Sequence, residues 1–547
     1  LALSFKESLV IEFKSDKNCL PDRELLAAVI SLANTEGGEL YLGVEDNGEI
    51  TGLHPKHRDI TTLAALIGNK SCPPLSVRVE LQKIESQQVA VIKVPKSRQL
   101  VATSEGLLQR RRTMADGTPQ AVPFYPHEFI QRQSTLGLVD QTAMAVTEAT
   151  TADLNPLERE RLRQMITRYG GDQSLLPLSD PELDGAMGFV TTIDGVKHPT
   201  IAGLLILGRE ETLRRFIPAH EVAFQVLDGT IVKTNTFYRV PLLQTFEGIM
   251  QMFEVRLVED EIQVGLFRVP VPNYHKRAFR EAFVNSLVHR DYTRLGAVHV
   301  RLENDGLTIS NPGGFVEGVH LGNLLVSEPR PRNPLLADIV KRIGLAERTG
   351  RGIDLIYEGL LRFGRPAPDY SRSDAVSVIL RMSNVAADKD FLRLILQEEE
   401  KLGRTLPLDS LIILSRLKME RRLTTATLAE STQRSEAETR AALEKLVESG
   451  LVEAHGTGRG RAYTLSSGVY QKVGETISYI RQVGFKPIQH EQMILNYIEK
   501  NGRIKREEVM ELCMLTKDQA AKLLKKLKEN NKIVQSGERR GAYYILQ

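Results

Sequence analysis

The chain has 547 residues, of which 41% are hydrophobic and 26% charged, with a formal net charge of +3. This is the make-up of folded globular domains, not of a disordered or collagen-like chain, and so mild a charge requires any nucleic-acid surface to be local. The three cysteines (Cys19, Cys72 and Cys513) lie too far apart for a disulfide framework or a zinc-ligand spacing, which fits a cytoplasmic setting, and no run of 18 apolar residues marks a membrane span.

The length calls for roughly three to five domains. The first residues carry no basic region followed by a long apolar stretch, so no secretory signal is expected among them. Leu1 in place of an initiator Met leads us to expect residues upstream.

Residues 1–135 read as an α/β unit. Residues 9–14 form a strand by β-branched and aromatic content, with Glu12 and Lys14 on one face and Ile11 and Phe13 on the other. A carboxylate on the polar face can hold Mg²⁺ or Mn²⁺, and the ammonium beside it can steady a phosphate. Glu7 lies outside the alternation, so a bend must bring it to the same place. A helix over 23–35 ends at Gly37-Gly38, and a second strand over 39–44 leads to a tight turn at Asn47-Gly48. Asp46 sits at that strand end with Glu45 beside it. Further on, Arg110, Arg111 and Arg112 follow a strand-like stretch; they suit salt-dependent phosphate contacts, the alternative being a solvated charge run.

Glu7 five positions before Glu12-Phe13-Lys14, followed by the Gly-rich stretch 34–48, resembles the signature of a Schlafen-type, AlbA-like nucleic-acid domain. The resemblance implies a nuclease site of three carboxylates, carried onto Glu7, Glu12 and Asp46, with Glu45 competing for the third place. Mg²⁺ or Mn²⁺ would be the cofactor and Lys14 would support the phosphate. The family also includes bacterial members read as DNA-binding regulators, so binding without catalysis stays open.

Residues 136–155, rich in Thr and Ala, read as a linker, and Pro156 opens a charged helix over 157–169. Residues 156–270 read as a connecting module without chemistry. It holds an apolar stretch at 200–208 and a strand at 220–226 with Val222, Phe224 and Val226 on one face.

A helix over 280–292 places Glu281, Asn285 and His289 at i, i+4 and i+8, on one face. Two glycine-bearing stretches follow, 309–315 with Gly313 and Gly314, and 347–353 with Gly350 and Gly352. The second can lay backbone amides against phosphates at a helix start. This ordered series over 271–385 resembles a Bergerat-type (GHKL) ATP-binding domain. The resemblance implies ATP, Mg²⁺ held by Asn285, and a water oriented by Glu281 in hydrolysing members. The sequence departs from the pattern at Asn311-Pro312, where an Asp that reads the adenine amino group usually precedes the glycines. Adenine reading and hydrolysis therefore stay open. The P-loop motif is absent from the sequence, which argues against a P-loop motor.

The tail reads as two winged-helix units, 388–470 and 485–547, an internal repeat of helices followed by a hairpin. In the first, the helix over 435–449 carries Glu436, Glu438, Glu444 and Glu448, which suits a structural role. In the second, Lys522 and Lys526 with Arg539 and Arg540 at the wing suit a nucleic-acid groove.

The expectation is an α+β multidomain protein: a Schlafen-like α/β domain, a connecting module, a Bergerat-like α/β sandwich and two winged-helix units. It would be an ATP-responsive, cytoplasmic homo-oligomer acting as a metal-dependent endonuclease on RNA, tRNA or DNA, with anti-phage defence as a setting the resemblance implies. The alternative is a non-catalytic, ATP-responsive DNA-binding regulator.

Overall fold

The computed structural model describes residues 6–84, 87–114, 117–135, 137–264, 267–347, 350–420, 422–456, 461–466, 469, 490–491, 494–495, 497–499, 502–513, 517–530, 532–537 and 542–546. They divide into two compact units, Leu1–Gln141 and Thr142–Gln547.

In the first unit, the strands Ile11–Lys14, Gly38–Leu42, Gln87–Val94 and Arg78–Ile84 form one sheet in that order. The first two run parallel, joined by the helix Asp22–Ala33, and the other pairs are antiparallel. Leu25, Val29 and Ile30 of the helix are sealed against Leu40, Leu42 and Ile92 of the sheet. On the opposite face Phe13 meets Tyr41 edge-on, with ring centroids 5.9 Å apart, beside Val89 and Val91. Gly38 explains the Gly-Gly pair: its φ is +137°, and a Cβ there would lie 2.1 Å from the Val10 carbonyl oxygen. Only a residue without a side chain lets the second strand enter flush against the first.

A hairpin of Gln109–Thr113 and Pro119–Pro123 is tied to the end of this helix. Asn34 donates to the carbonyls of Val101 (2.7 Å) and Gln109 (2.9 Å) and accepts from the Val101 amide (2.9 Å). The Arg111 amide donates to Thr35 Oγ1 at 2.8 Å.

In the second unit, a five-stranded sheet runs Ile231–Tyr238, Val222–Asp228, Val298–Glu303, Gly306–Pro312, Ser377–Ser383. Val222–Asp228 and Val298–Glu303 pair parallel, Val222 opposite Val298; the other neighbours are antiparallel. The stretch expected to be a separate connecting module therefore supplies two strands of the sheet that carries the nucleotide motifs. One apolar core runs from Ala149 to Met382 and joins the buried helix Ile201–Leu207 to the helices Leu242–Glu254, Lys276–Val288 and Pro334–Ile343. Nor are residues 142–155 a free linker: Ala149 and Leu154 are buried in that core, and isolated bridges join Ala145 to Thr200 and Leu154 to Gly208.

Beyond the sheet, the helices Leu408–Glu420, Thr425–Thr432 and Glu436–Glu448 surround a core with the strands Leu423–Thr424, Val452–His455 and Ala462–Leu465. Ser435 caps the third helix, and Glu438 reaches back to the Ser435 amide at 3.0 Å. The same arrangement recurs with the strands Ile504–Lys505, Ile533–Ser536 and Tyr543–Leu546 around the helices Arg506–Cys513 and Lys517–Glu529. The helix expected at 492–500 lies partly outside the described residues. Among the described residues no helix is long and apolar enough to cross a membrane.

Candidate nucleotide cavity and nucleic-acid interface

The acids of the first unit do not gather as expected. Glu12 is 7% exposed, and its carboxylate forms ion pairs with Arg111 and with Lys14, the latter at 2.5 Å. Arg111 is 2% exposed and also donates to the Ser8 carbonyl from Nε (3.1 Å) and Nη2 (2.8 Å). Burial lowers its pKa, and the nearby Glu7 raises it. Glu7 Oε1 accepts from the Phe13 amide at 2.8 Å, which holds its carboxylate against the strand that carries Glu12. Asp46, however, stands exposed in the turn after the second strand. Glu45, its competitor, accepts from Ser15 and Thr51, both at 2.8 Å, and these bonds lower its pKa.

Among the described residues no group of three or more His, Cys, Asp or Glu could hold a metal ion. The expectation of one divalent cation on Glu7, Glu12 and Asp46 finds no support in this arrangement. The physical reason is Arg111, which already supplies the positive charge that Glu12 requires when buried. Lys14 is likewise engaged with Glu12.

The three arginines do not make one basic surface either. On the strand Gln109–Thr113 alternate residues face opposite ways: Arg111 is buried, while Arg110 and Arg112 share the other face. Arg110 is ion-paired with Glu128 and lies 5.8 Å from the centroid of the Phe124 ring. Arg112 is exposed. In the tail, Lys526 pairs with Glu491 at 2.8 Å, whereas Lys522 is exposed on the same helix; Arg539 and Arg540 lie outside the described residues.

The second constellation does come together. A cavity of about 220 Å³ opens beside the helix Lys276–Val288, lined by Glu281, Asn285, His289, Gly314, Gly350 and Gly352. Gly313 is not among its walls; it packs against Asp291 instead. The rest of the cavity includes the apolar side chains of Phe315, Val316, Ile353, Val378 and Leu380, with Asn311 at the end of the strand Gly306–Pro312. Arg330 and Lys341 bring positive charge.

Glu281 is buried. Its carboxyl accepts hydrogen bonds from the Glu347 amide and the Asn285 side chain, and burial raises its pKa nonetheless. It thus pins the start of the second glycine stretch to the helix. Gly352 leaves the room it needs, since a Cβ there would come within 2.1 Å of Glu281 Oε1. His289 caps the helix; burial, with Arg332 and Lys341 nearby, holds it neutral with a pKa of about 4.

Sequence reasoning missed Arg332 and Asn333. Arg332 donates from Nε to the His289 carbonyl (3.2 Å) and from Nη2 to the Gly314 carbonyl (2.9 Å), tying the helix end to the first glycine stretch. Asn333 Nδ2 reaches the carbonyls of Val288 (2.7 Å) and Arg290 (2.8 Å). The one signal in the sequence was their place directly before Pro334, the opening residue of a helix. Asp16 was missed as well: fully buried, it accepts from the amides of Leu20 and His54 and meets His57 Nδ1 at 2.8 Å.

Three segments of the chain resemble known protein families. Residues 7–116 match the family "Schlafen, AlbA_2", residues 296–380 match "Putative ATP-dependent DNA helicase recG C-terminal", and residues 129–223 match a domain of unknown function. The crystal structure of the DIP2311 protein from Corynebacterium diphtheriae is 21% identical, covers 100% of this chain and 96% of its own, and superposes with a TM-score of 0.50, a likeness of fold alone. The solution structure titled as the N-terminal domain of a "Putative ATP-dependent DNA Helicase RecG-related Protein" from Nitrosomonas europaea is 25% identical over 17% of this chain and 67% of its own, with a TM-score of 0.15. No curated protein matches. The chain is thus similar to a Schlafen/AlbA_2 domain over residues 7–116 and to a RecG C-terminal, ATPase-type domain over residues 296–380, a pairing that points to a nucleic-acid-related, ATP-associated protein.

Proposed function

We propose that the chain is an ATP-responsive nucleic-acid-binding protein that holds its target without cutting it. The observation that carries this reading is the cavity where Glu281, Asn285 and three bare glycine backbones meet. Its residues fit an adenine nucleotide. Apolar walls at Phe315, Val378 and Leu380 suit a flat base, while Gly314, Gly350 and Gly352 let phosphates approach the main chain. Arg330 and Lys341 would oppose the phosphate charge, and Asn285 would take the magnesium that accompanies it. Glu281, already engaged by Asn285 and the Glu347 amide, serves to hold the loop, which supports binding over rapid hydrolysis.

The Glu12–Arg111 pair favours binding over cleavage in the first domain. A buried carboxylate neutralised by a guanidinium and an ammonium does not suit a divalent cation. Arg112 is the residue of the arginine run that we assign to phosphate contact. The two helix-and-hairpin units of the tail we read as winged helices, and Lys522 is the second one's candidate for the nucleic-acid backbone.

The test is incubation of the full chain with tRNA, single-stranded RNA and double-stranded DNA, with Mg²⁺ or Mn²⁺ and with or without ATP. Retention of nucleic acid without cleavage, with affinity altered by ATP, is expected. Metal-dependent cleavage that disappears in Glu12→Ala would replace the binder with a nuclease.

A further inference from the structure

One wall of the cavity is held from outside its own domain. Residues 320–327 form a series of turns, and Leu324, Leu325 and Ser327 line the cavity. The side chain of Gln433, from the helical unit 408–465, grips this segment at two points. Its Nε2 donates to the Leu321 carbonyl and its Oε1 accepts from the Leu325 amide, both at 2.8 Å.

Gln433 ends the helix Thr425–Thr432 in the left-handed region, with φ 56° and ψ 28°. A glycine, or sometimes an asparagine, ordinarily takes that place, because a Cβ there is strained. Glutamine keeps the strained conformation, and its side chain is spent on the cavity wall. Two further links run alongside. Leu325 packs against the core of the helical unit while lining the cavity, and Tyr357, from the helix Gly352–Leu361 that begins at the second glycine stretch, packs against the same core.

From this geometry we infer that Gln433 is a positioning residue for the nucleotide site: the first helix-and-hairpin unit sets the cavity wall, and occupancy of the cavity is coupled to that unit. The inference rests on the nucleotide reading above. It also gives a role to the unit whose third helix, with its four glutamates, is poorly suited to phosphate. A wall fixed by two side-chain hydrogen bonds admits ligand in one arrangement, and whatever displaces the helical unit releases the wall.

The experiment compares wild type, Gln433→Gly and Gln433→Glu as full chains, by calorimetric titration with MgATP and by amide hydrogen exchange over residues 320–327. Glycine relieves the backbone strain and removes the grip, so the thermal midpoint should hold or rise while affinity for MgATP falls roughly tenfold and the Leu325 amide exchanges faster. Glutamate keeps the acceptor for Leu325 and loses the donor to Leu321, and an intermediate affinity is expected. Equal affinity in wild type and Gln433→Gly, with exchange at Leu325 unchanged, would overturn the inference and leave the nucleotide reading standing. A loss of affinity matched by a lower thermal midpoint in Gln433→Gly would also overturn it, as the mark of a merely structural residue. Wild type that fails to bind MgATP would remove the nucleotide reading and this inference with it.

Discussion

The Glu281 carboxylate occupies the space that any side chain at position 352 would need: a Cβ on Gly352 would lie 2.1 Å from its Oε1. The helix that presents Glu281 and the glycine stretch that follows are thereby fitted to one another, with the Glu347 amide bonded to the same carboxyl. Gly352→Ala should weaken nucleotide binding more than tenfold and lower stability by about 1–3 kcal/mol, as overpacking does. Adding Glu281→Ala should relieve the clash, so that denaturant titration finds the double variant more stable than the sum of the single losses predicts. Simple additivity would mean the two residues do not meet.

Arg111 and Arg112 are neighbours in sequence with opposite fates, and their substitutions should separate. Arg111→Ala leaves the buried Glu12 with Lys14 as its one remaining cation and should cost about 2–4 kcal/mol, read as a lower urea midpoint. Arg112→Ala should stay within about 0.5 kcal/mol of wild type in stability. In nucleic-acid titrations over a range of salt it should weaken binding for all sequences alike and reduce the salt slope by about one. Equal effects of the two substitutions on stability would contradict the buried pair.

Two buried histidines set an acid limit. His220, bonded to the Val240 carbonyl at 2.7 Å, and His289 are both held neutral by burial, with pKa values of about 4 against an ordinary 6.5. A folded-state pKa below the unfolded one means that the unfolded chain takes up the proton first. The stability these histidines contribute is therefore whole above about pH 6.5 and is lost as pH falls towards 4. Differential scanning calorimetry between pH 7 and pH 4 should show the thermal midpoint of His220→Gln/His289→Gln falling less steeply than that of wild type. Parallel slopes would show that other groups set the acid limit.

Local patterns in the chain were read well, and long-range pairing was not. Alternation in Ile11–Lys14 put Glu12 and Lys14 on one face, where they form an ion pair. Helical spacing put Glu281, Asn285 and His289 on one side of a helix, and all three line the cavity with Gly314, Gly350 and Gly352. The strand at Val222–Asp228 was legible as a strand, yet nothing local says that it lies parallel to Val298–Glu303, more than 70 residues away. For that reason a piece of the nucleotide domain's sheet looked like a connector. Arg111 misled for a similar cause. Three adjacent arginines look like a charged surface until the alternation of the strand is set against a buried glutamate about 100 positions earlier. The grip of Gln433 on Leu321 and Leu325 has no signature in sequence, because it depends on a left-handed backbone and two main-chain partners.

The most direct measurement is calorimetric titration of the full chain with MgATP, beside Asn285→Ala. The account predicts saturable binding at one site in wild type and its loss in Asn285→Ala, with the thermal midpoint of the variant within a few degrees of wild type. Binding of equal strength in both proteins, or none in wild type, would contradict the assignment of the cavity to an adenine nucleotide.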